Sequence, residues 1–120
     1  MSEKLLKHWL DNLIYIWVTK NPDRVVELVA DVFRWHDAPF DPVITSKEAL
    51  VKEWKAVLDH DDVQATYEII ALQDTVGIVH WHASFTRLPT KEKTELDGIY
   101  KVELNNDGKC TEFHQWYNAN

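Results

Sequence analysis

Two histidines one residue apart, His80 and His82, form the pair whose spacing in this chain points most directly to chemistry. Alternate residues of a strand share a face, so a strand through His80-Trp81-His82 presents two imidazoles side by side, a spacing that zinc and similar metals can use. Across a sheet, His114 and Asp97 are the residues that would complete such a set. The competing reading, and the preferred one, makes His80, His82, Asp97 and His114 a polar outer sheet face, or a dimer interface laced with Ile78, Ile99 and Trp116. A bulge at Gly98 would be needed to turn Asp97 to the other side. No metal and no other cofactor is therefore expected. The acidic turn Asp59-His60-Asp61-Asp62 can attract a cation, but a charged loop after a helix is usually just solvated. Cys110 has no evident base partner and reads as a structural thiol. His8 and His36 fall in no usable pattern.

The elements that must carry these residues begin with a long hairpin in the last quarter of the chain. Two runs of period-2 alternation flank Asn105-Asn106-Asp107-Gly108, where Asp and Gly supply the turn. Leu96, Gly98, Tyr100, Val102 and Leu104 share one face of the first strand, and Asp97, Ile99, Lys101 and Glu103 the other. In the second strand Phe113, Gln115 and Tyr117 alternate with Glu112, His114 and Trp116. Two earlier strands are expected at about Gln64–Leu72 and Val76–Arg87. The loop Leu88–Lys93 then sets Trp81, Ala83 and Phe85 beside Tyr100, Gly98 and Leu96.

Helices precede the strands. Leu5, Leu6, Trp9, Leu13, Ile16 and Trp17 recur at helical spacing over Glu3–Lys20. Asn21-Pro22 stops that helix and opens a second, to about Val29, with Pro22 at its first position. Val32–His36 reads as a short strand, followed by a loop holding Pro39 and Pro42. Thr45-Ser46-Lys47-Glu48 reads as a capping box, with Thr45 as the cap of a third helix bearing Leu50, Trp54, Val57 and Leu58. Helices gathered before an antiparallel meander mean an α+β fold: three N-terminal helices packed on a curved, mostly antiparallel sheet, a cone-shaped α+β barrel with a mouth suited to a small apolar ligand.

Composition bounds the partners. With 120 residues the chain is expected to be a single domain, 1–120, burying roughly two-thirds of its unfolded surface. Thirteen basic against 20 acidic residues give a net charge of −7, which argues against nucleic acid and against an anionic membrane surface. One cysteine excludes an internal disulfide. No apolar run reaches membrane-spanning length or resembles a secretion signal, so a cytoplasmic protein is expected. Six Trp, four Tyr and four Phe are many for this length and point to a bulky core or an aromatic-lined cavity.

The element order, with Leu96-Asp97-Gly98-Ile99-Tyr100 and Asp107-Gly108-Lys109-Cys110 running into Gln115-Trp116-Tyr117, resembles the SnoaL-like branch of the nuclear transport factor 2-like superfamily. That superfamily includes ketosteroid isomerases, limonene epoxide hydrolases, polyketide cyclases and dehydratases. Its isomerase pattern implies Tyr15 as an oxyanion donor, Asp37 as general base and Tyr100 at the position of the second donor. Its epoxide hydrolase pattern fails, because the required Arg and two Asp fall at Trp81, Ala83 and Gln115, and the chain lacks the groups to activate water. The resemblance further implies an interior of Trp81, Phe85, Tyr100, Val102, Phe113, Gln115 and Tyr117, closed by Trp17, Trp35 and Trp54. Two readings stand beside each other: a pocket for a small apolar ring-containing molecule, with proton-transfer chemistry of isomerase, dehydratase or cyclase type, or a non-catalytic binding or dimerisation domain. A homodimer through the outer sheet face is expected in either case.

Overall fold

A computed structural model describes residues 1–120. Helix α1 spans Glu3–Val18, with the Ser2 hydroxyl accepting from the Leu5 amide at 3.1 Å as its cap. Its inward stripe is Leu6, Trp9, Leu10, Leu13, Ile16 and Trp17, all buried. The helix stops at Val18 rather than Lys20, because Lys20 turns left-handed at φ 54°. The second helical stretch, Pro22–Leu28, is a 3-10 helix. Pro22 stands at its start, where its missing amide donor would be unpaired in any case.

Strand β1 spans Val29–His36 and begins three residues before the expected Val32. Helix α2, Lys47–Trp54, is capped by Ser46, whose hydroxyl accepts from the Ala49 amide at 3.2 Å. The cap therefore sits one residue later than the expected Thr45. A 3-10 turn, Lys55–Asp59, continues it into β2, His60–Gln73. Three of the four residues of the supposed acidic loop thus belong to a strand. A register shift between Asp61 and Gln64, with Asp62 at φ 50°, hides the alternation there.

Strands β3 (Val76–Arg87), β4 (Lys93–Leu104) and β5 (Cys110–Ala119) complete a five-stranded sheet of order β1-β5-β4-β3-β2. β1 runs parallel to β5 and the other pairs are antiparallel. The sheet is curved, mixed and open, with β1 and β2 as its edges; it does not close into a barrel. Opposite Trp81 stands Gly98, and opposite Ala83 stands Leu96. That differs by two residues from pairing Trp81 with Tyr100. A two-residue slip preserves the face of every side chain, so the inward set keeps its sidedness. β4 and β5 pair without a shift through Gly98, which leaves Asp97 on the outer face.

The inward face packs on α1 and α2 to make a core of 22 buried residues. Trp35 stacks on Phe113 with centroids 3.8 Å apart, and Trp9 leans on both. Gly98 allows β4 and β5 their approach: a Cβ there would meet the Trp116 carbonyl oxygen and lie 2.8 Å from Tyr117 Cβ. Gly108 makes the hairpin turn at φ 74°.

Candidate functional site

The helices cover the sheet from β1 only part-way, and at the end where β3 and β5 finish and β2 and β4 begin they leave a cavity of about 350 Å³. It lies at the small end of the range for small-molecule sites. Trp17 at the end of α1, Trp54 in α2, Trp81 and Phe85 in β3, Tyr100 in β4 and Tyr117 in β5 form its aromatic walls. Its polar groups are Asp37, Glu53, His60, Arg87, Tyr100 and Gln115.

Asp37 follows the last residue of β1, so its position is set by the strand and its surroundings by what packs across the cavity. Its Oδ1 accepts from Trp35 Nε1 at 3.3 Å and from Gln115 Nε2 at 3.2 Å. Burial pushes its pKa up from 3.8 to about 6; the Trp35 bond opposes that shift, while the carboxylates of Glu53 and Asp41 add to it. A carboxyl group near pH 6 exchanges protons readily at working pH, which is what a general base needs. Tyr100 is buried, stacked on Trp81 at 4.9 Å, and its hydroxyl makes no hydrogen bond to the protein. Burial first, and the Asp37 charge second, keep that phenol protonated and a donor. Trp81 Nε1 is the one buried side-chain nitrogen or oxygen without a partner. Trp81 lines the main cavity and also a small pocket of about 10 Å³.

His60 opens β2 and stacks on Phe85 at 3.8 Å. Trp17 Nε1 donates to its Nδ1 at 2.9 Å. An indole N–H only donates, so Nδ1 carries the lone pair and the proton sits on Nε2. Burial, then Arg87, lowers the His60 pKa to about 4 and keeps the ring neutral. Sequence reasoning passed over His60, Glu53 and Arg87. By sequence His60 reads as part of a solvated turn; in the structure it pairs opposite Arg87, just before the register shift between Asp61 and Gln64.

Of the expected site residues, Asp37, Tyr100, Trp17, Trp54, Trp81, Phe85, Gln115 and Tyr117 come together around the cavity. Tyr15 does not. It lies two residues from both Leu13 and Trp17, about 200° around the helix from each, so it faces outward, 55% exposed, with the Arg24 guanidinium over its ring at 5.8 Å. It cannot donate to a group in the cavity. Trp35, Val102 and Phe113 also lie outside the lining: Val102 and Phe113 face each other across β4 and β5, and Phe113 stacks on Trp35 in the core. Trp35 touches the site only through its N–H to Asp37.

On the outer face the histidines divide differently from the expected arrangement. His80 lies 3.0 Å and His82 3.2 Å from Asp97, with Glu68 and Glu95 as further partners. These hydrogen bonds, Asp97 first, raise the His80 pKa and lower that of Asp97. His114 is elsewhere. Parallel pairing puts it beside His36, the rings stacked at 4.0 Å and nearly parallel, and Glu112 joins them with all three ligand atoms within 4.8 Å. Such a set is chemically suited to a divalent metal. Parallel stacked rings aim their lone pairs side by side rather than at one point, however, and Arg34 lies 3.9 Å from Glu112. Binding an ion would require the rings to rotate apart.

Residues 10–113 match the SnoaL-like domain family. The chain belongs to that family. The SnoaL-like fold is shared with the epoxide hydrolase/cyclase-like enzyme SalBIII, which acts in pyran ring formation in the polyether salinomycin. The two superpose with a TM-score of 0.82 at 16% identity, over 98% of this chain and 93% of that one. A candidate isomerase from Bacillus subtilis gives a TM-score of 0.82 at 16% identity, covering 98% and 90%. An NTF2-like protein of unknown function from Exiguobacterium gives 0.73 at 14%, covering 92% and 98%. No curated protein matches the sequence. At these identities the neighbours share the SnoaL-like fold, and activity must be argued from the site. No helix is long and apolar enough to cross a membrane.

Proposed function

We propose that this SnoaL-like domain binds a small, largely apolar, ring-containing carbonyl compound and moves a proton on it. What carries the reading is Asp37: a half-buried carboxylate, raised to about 6, in an aromatic cavity beside a phenol with no protein partner. The Asp37 carboxylate removes a proton from the carbon next to the carbonyl. The C–H electron pair becomes a carbon–carbon double bond as the carbonyl π pair moves onto the oxygen, which accepts a hydrogen bond from Tyr100. Asp37 then returns the proton to the same carbon or to a conjugated one. Nothing is oxidised or reduced, so the step needs no cofactor. Gln115 and Trp35 hold the carboxylate in place through Oδ1, with the Glu53 carboxyl group close enough to hydrogen-bond to it.

The test is exchange of α-protons of one- and two-ring ketones in D2O, followed by proton NMR. Exchange above the buffer rate in the native protein, lost in Asp37→Asn, supports the reading. Ring ketones that bind but exchange no faster than in buffer would overturn it and make the domain a binding module.

We also propose that two copies of the chain pair through the outer sheet face, where Trp116 is exposed beside the half-buried Ile78 and Ile99. Light scattering at the dimer mass, falling to the monomer mass in Trp116→Glu, is expected. A native monomer counts against it.

A further inference from the structure

The polar groups that line the cavity are of two opposite kinds. Asp37 and Glu53 are acidic. His60 and Arg87 are donors, and the two are cross-strand partners at the point where β2 begins and β3 ends. We infer that the molecule taken up by the cavity carries a carboxylate, bound by the Arg87 guanidinium and the Nε2–H of His60 while its ring lies between the aromatic walls. This rests on the cavity being the substrate site, though not on Asp37 acting as a base.

Arg87 is committed at one nitrogen only. Its Nε donates to Thr94 Oγ1 at 3.2 Å, and its Cζ sits 5.4 Å from the Phe85 ring centroid. Those two contacts fix the plane of the guanidinium. Its terminal amino groups make no hydrogen bond or ion pair with the protein, in a chain with 20 acidic residues available to pair with. Holding a guanidinium by its Nε and its face leaves the two-pronged edge that matches a carboxylate.

His60 is prepared for the same ligand. Because Trp17 donates to Nδ1, the ring is locked as the tautomer with Nε2–H, a donor with no acceptor in the protein. Stacking on Phe85 at 3.8 Å fixes the ring's orientation. The charges around the pair are Asp59, which precedes His60, and Lys20, which pairs with Asp61 at 3.4 Å. A neutral apolar ligand would leave the guanidinium edge and the imidazole N–H with only water as partners. A ring carboxylate satisfies both.

The test uses a matched pair, 2-naphthoate and its neutral amide 2-naphthamide, titrated by calorimetry into the native protein. The carboxylate is expected to bind at least about tenfold more tightly, a difference of about 1.4 kcal/mol. Arg87→Ala should erase that preference and Arg87→Lys retain part of it, with melting temperatures checking that both fold. In the unaltered protein, the His60 Nε2–H proton resonance should move downfield with naphthoate and stay put with naphthamide. Asp37→Asn should keep the carboxylate preference, so failure of proton transfer alone leaves this inference standing. Equal affinity for the two probes, a preference that survives Arg87→Ala, or no binding of either probe would overturn it.

Discussion

The indole N–H of Trp17, at the end of α1, donates to Nδ1 of His60, the first residue of β2, at 2.9 Å. This bond joins helix to sheet at the rim of the cavity and decides which imidazole nitrogen carries the proton. The neutral form of His60 is thereby a donor toward the cavity.

His60 should titrate near pH 4 instead of near 6.5. A folded pKa below the unfolded one means that protonation opposes folding, so this residue's share of stability is lost as pH falls from about 6.5 toward 4. Ring nitrogen shifts in a pH series measure the value and the tautomer directly. Arg87→Gln should raise it, since the arginine is the second cause of the depression. Titration of the native ring near 6.5 would refute the assignment.

Asp37 should reduce stability at neutral and higher pH. Its folded pKa is raised from 3.8 to about 6, so the native state favours the protonated form and stability is lost as pH rises through that window. Two units correspond to at most about 3 kcal/mol. Asp37→Asn keeps an oxygen for Trp35 and Gln115 and should be more stable than the native protein at pH 8, by up to that amount, with little difference at pH 4. Urea unfolding at the two pH values checks it. Equal stability at pH 8 would mean the carboxylate is not desolvated.

Tyr100→Phe should separate chemistry from folding. The hydroxyl makes no hydrogen bond within the protein, and the ring stacked on Trp81 remains, so the melting temperature should hardly move. Under the proposed reaction the exchange rate should fall about a hundredfold, the usual effect of deleting one oxyanion donor, with ligand affinity nearly unchanged. Unaltered exchange would remove Tyr100 from the mechanism.

Gly98→Ala should destabilise strongly. The new methyl group would collide with the Trp116 carbonyl and Tyr117 Cβ, both on the paired strand. The backbone of β5 must move, and the Tyr117 wall of the cavity moves with it. A loss of about 3 kcal/mol or more is expected, the range reserved for overpacking without room to relax. A native-like melting temperature would show that the strands part easily there.

The local patterns in the sequence determined the α+β class, the hairpin, and that Trp81 and Phe85 share one face of their strand, as Gln115 and Tyr117 do of theirs; the resemblance to a family turned those faces and Tyr100 inward. A period of two or 3.6 residues is a property of neighbouring side chains and needs no distant partner. The same periodicity, applied to α1, would have placed Tyr15 opposite Leu13 and Trp17; the resemblance to a family pointed it inward instead. Three things were decided only by the tertiary structure. Parallel pairing of β1 with β5 sets His36 beside His114 and Asp37 within reach of Gln115, residues 78 positions apart. Packing of Trp35 against Phe113 withdraws both rings from the cavity into the core. The proton affinities of Asp37 and His60 depend on how much water and which charges surround them, and spacing along a chain carries no information about either.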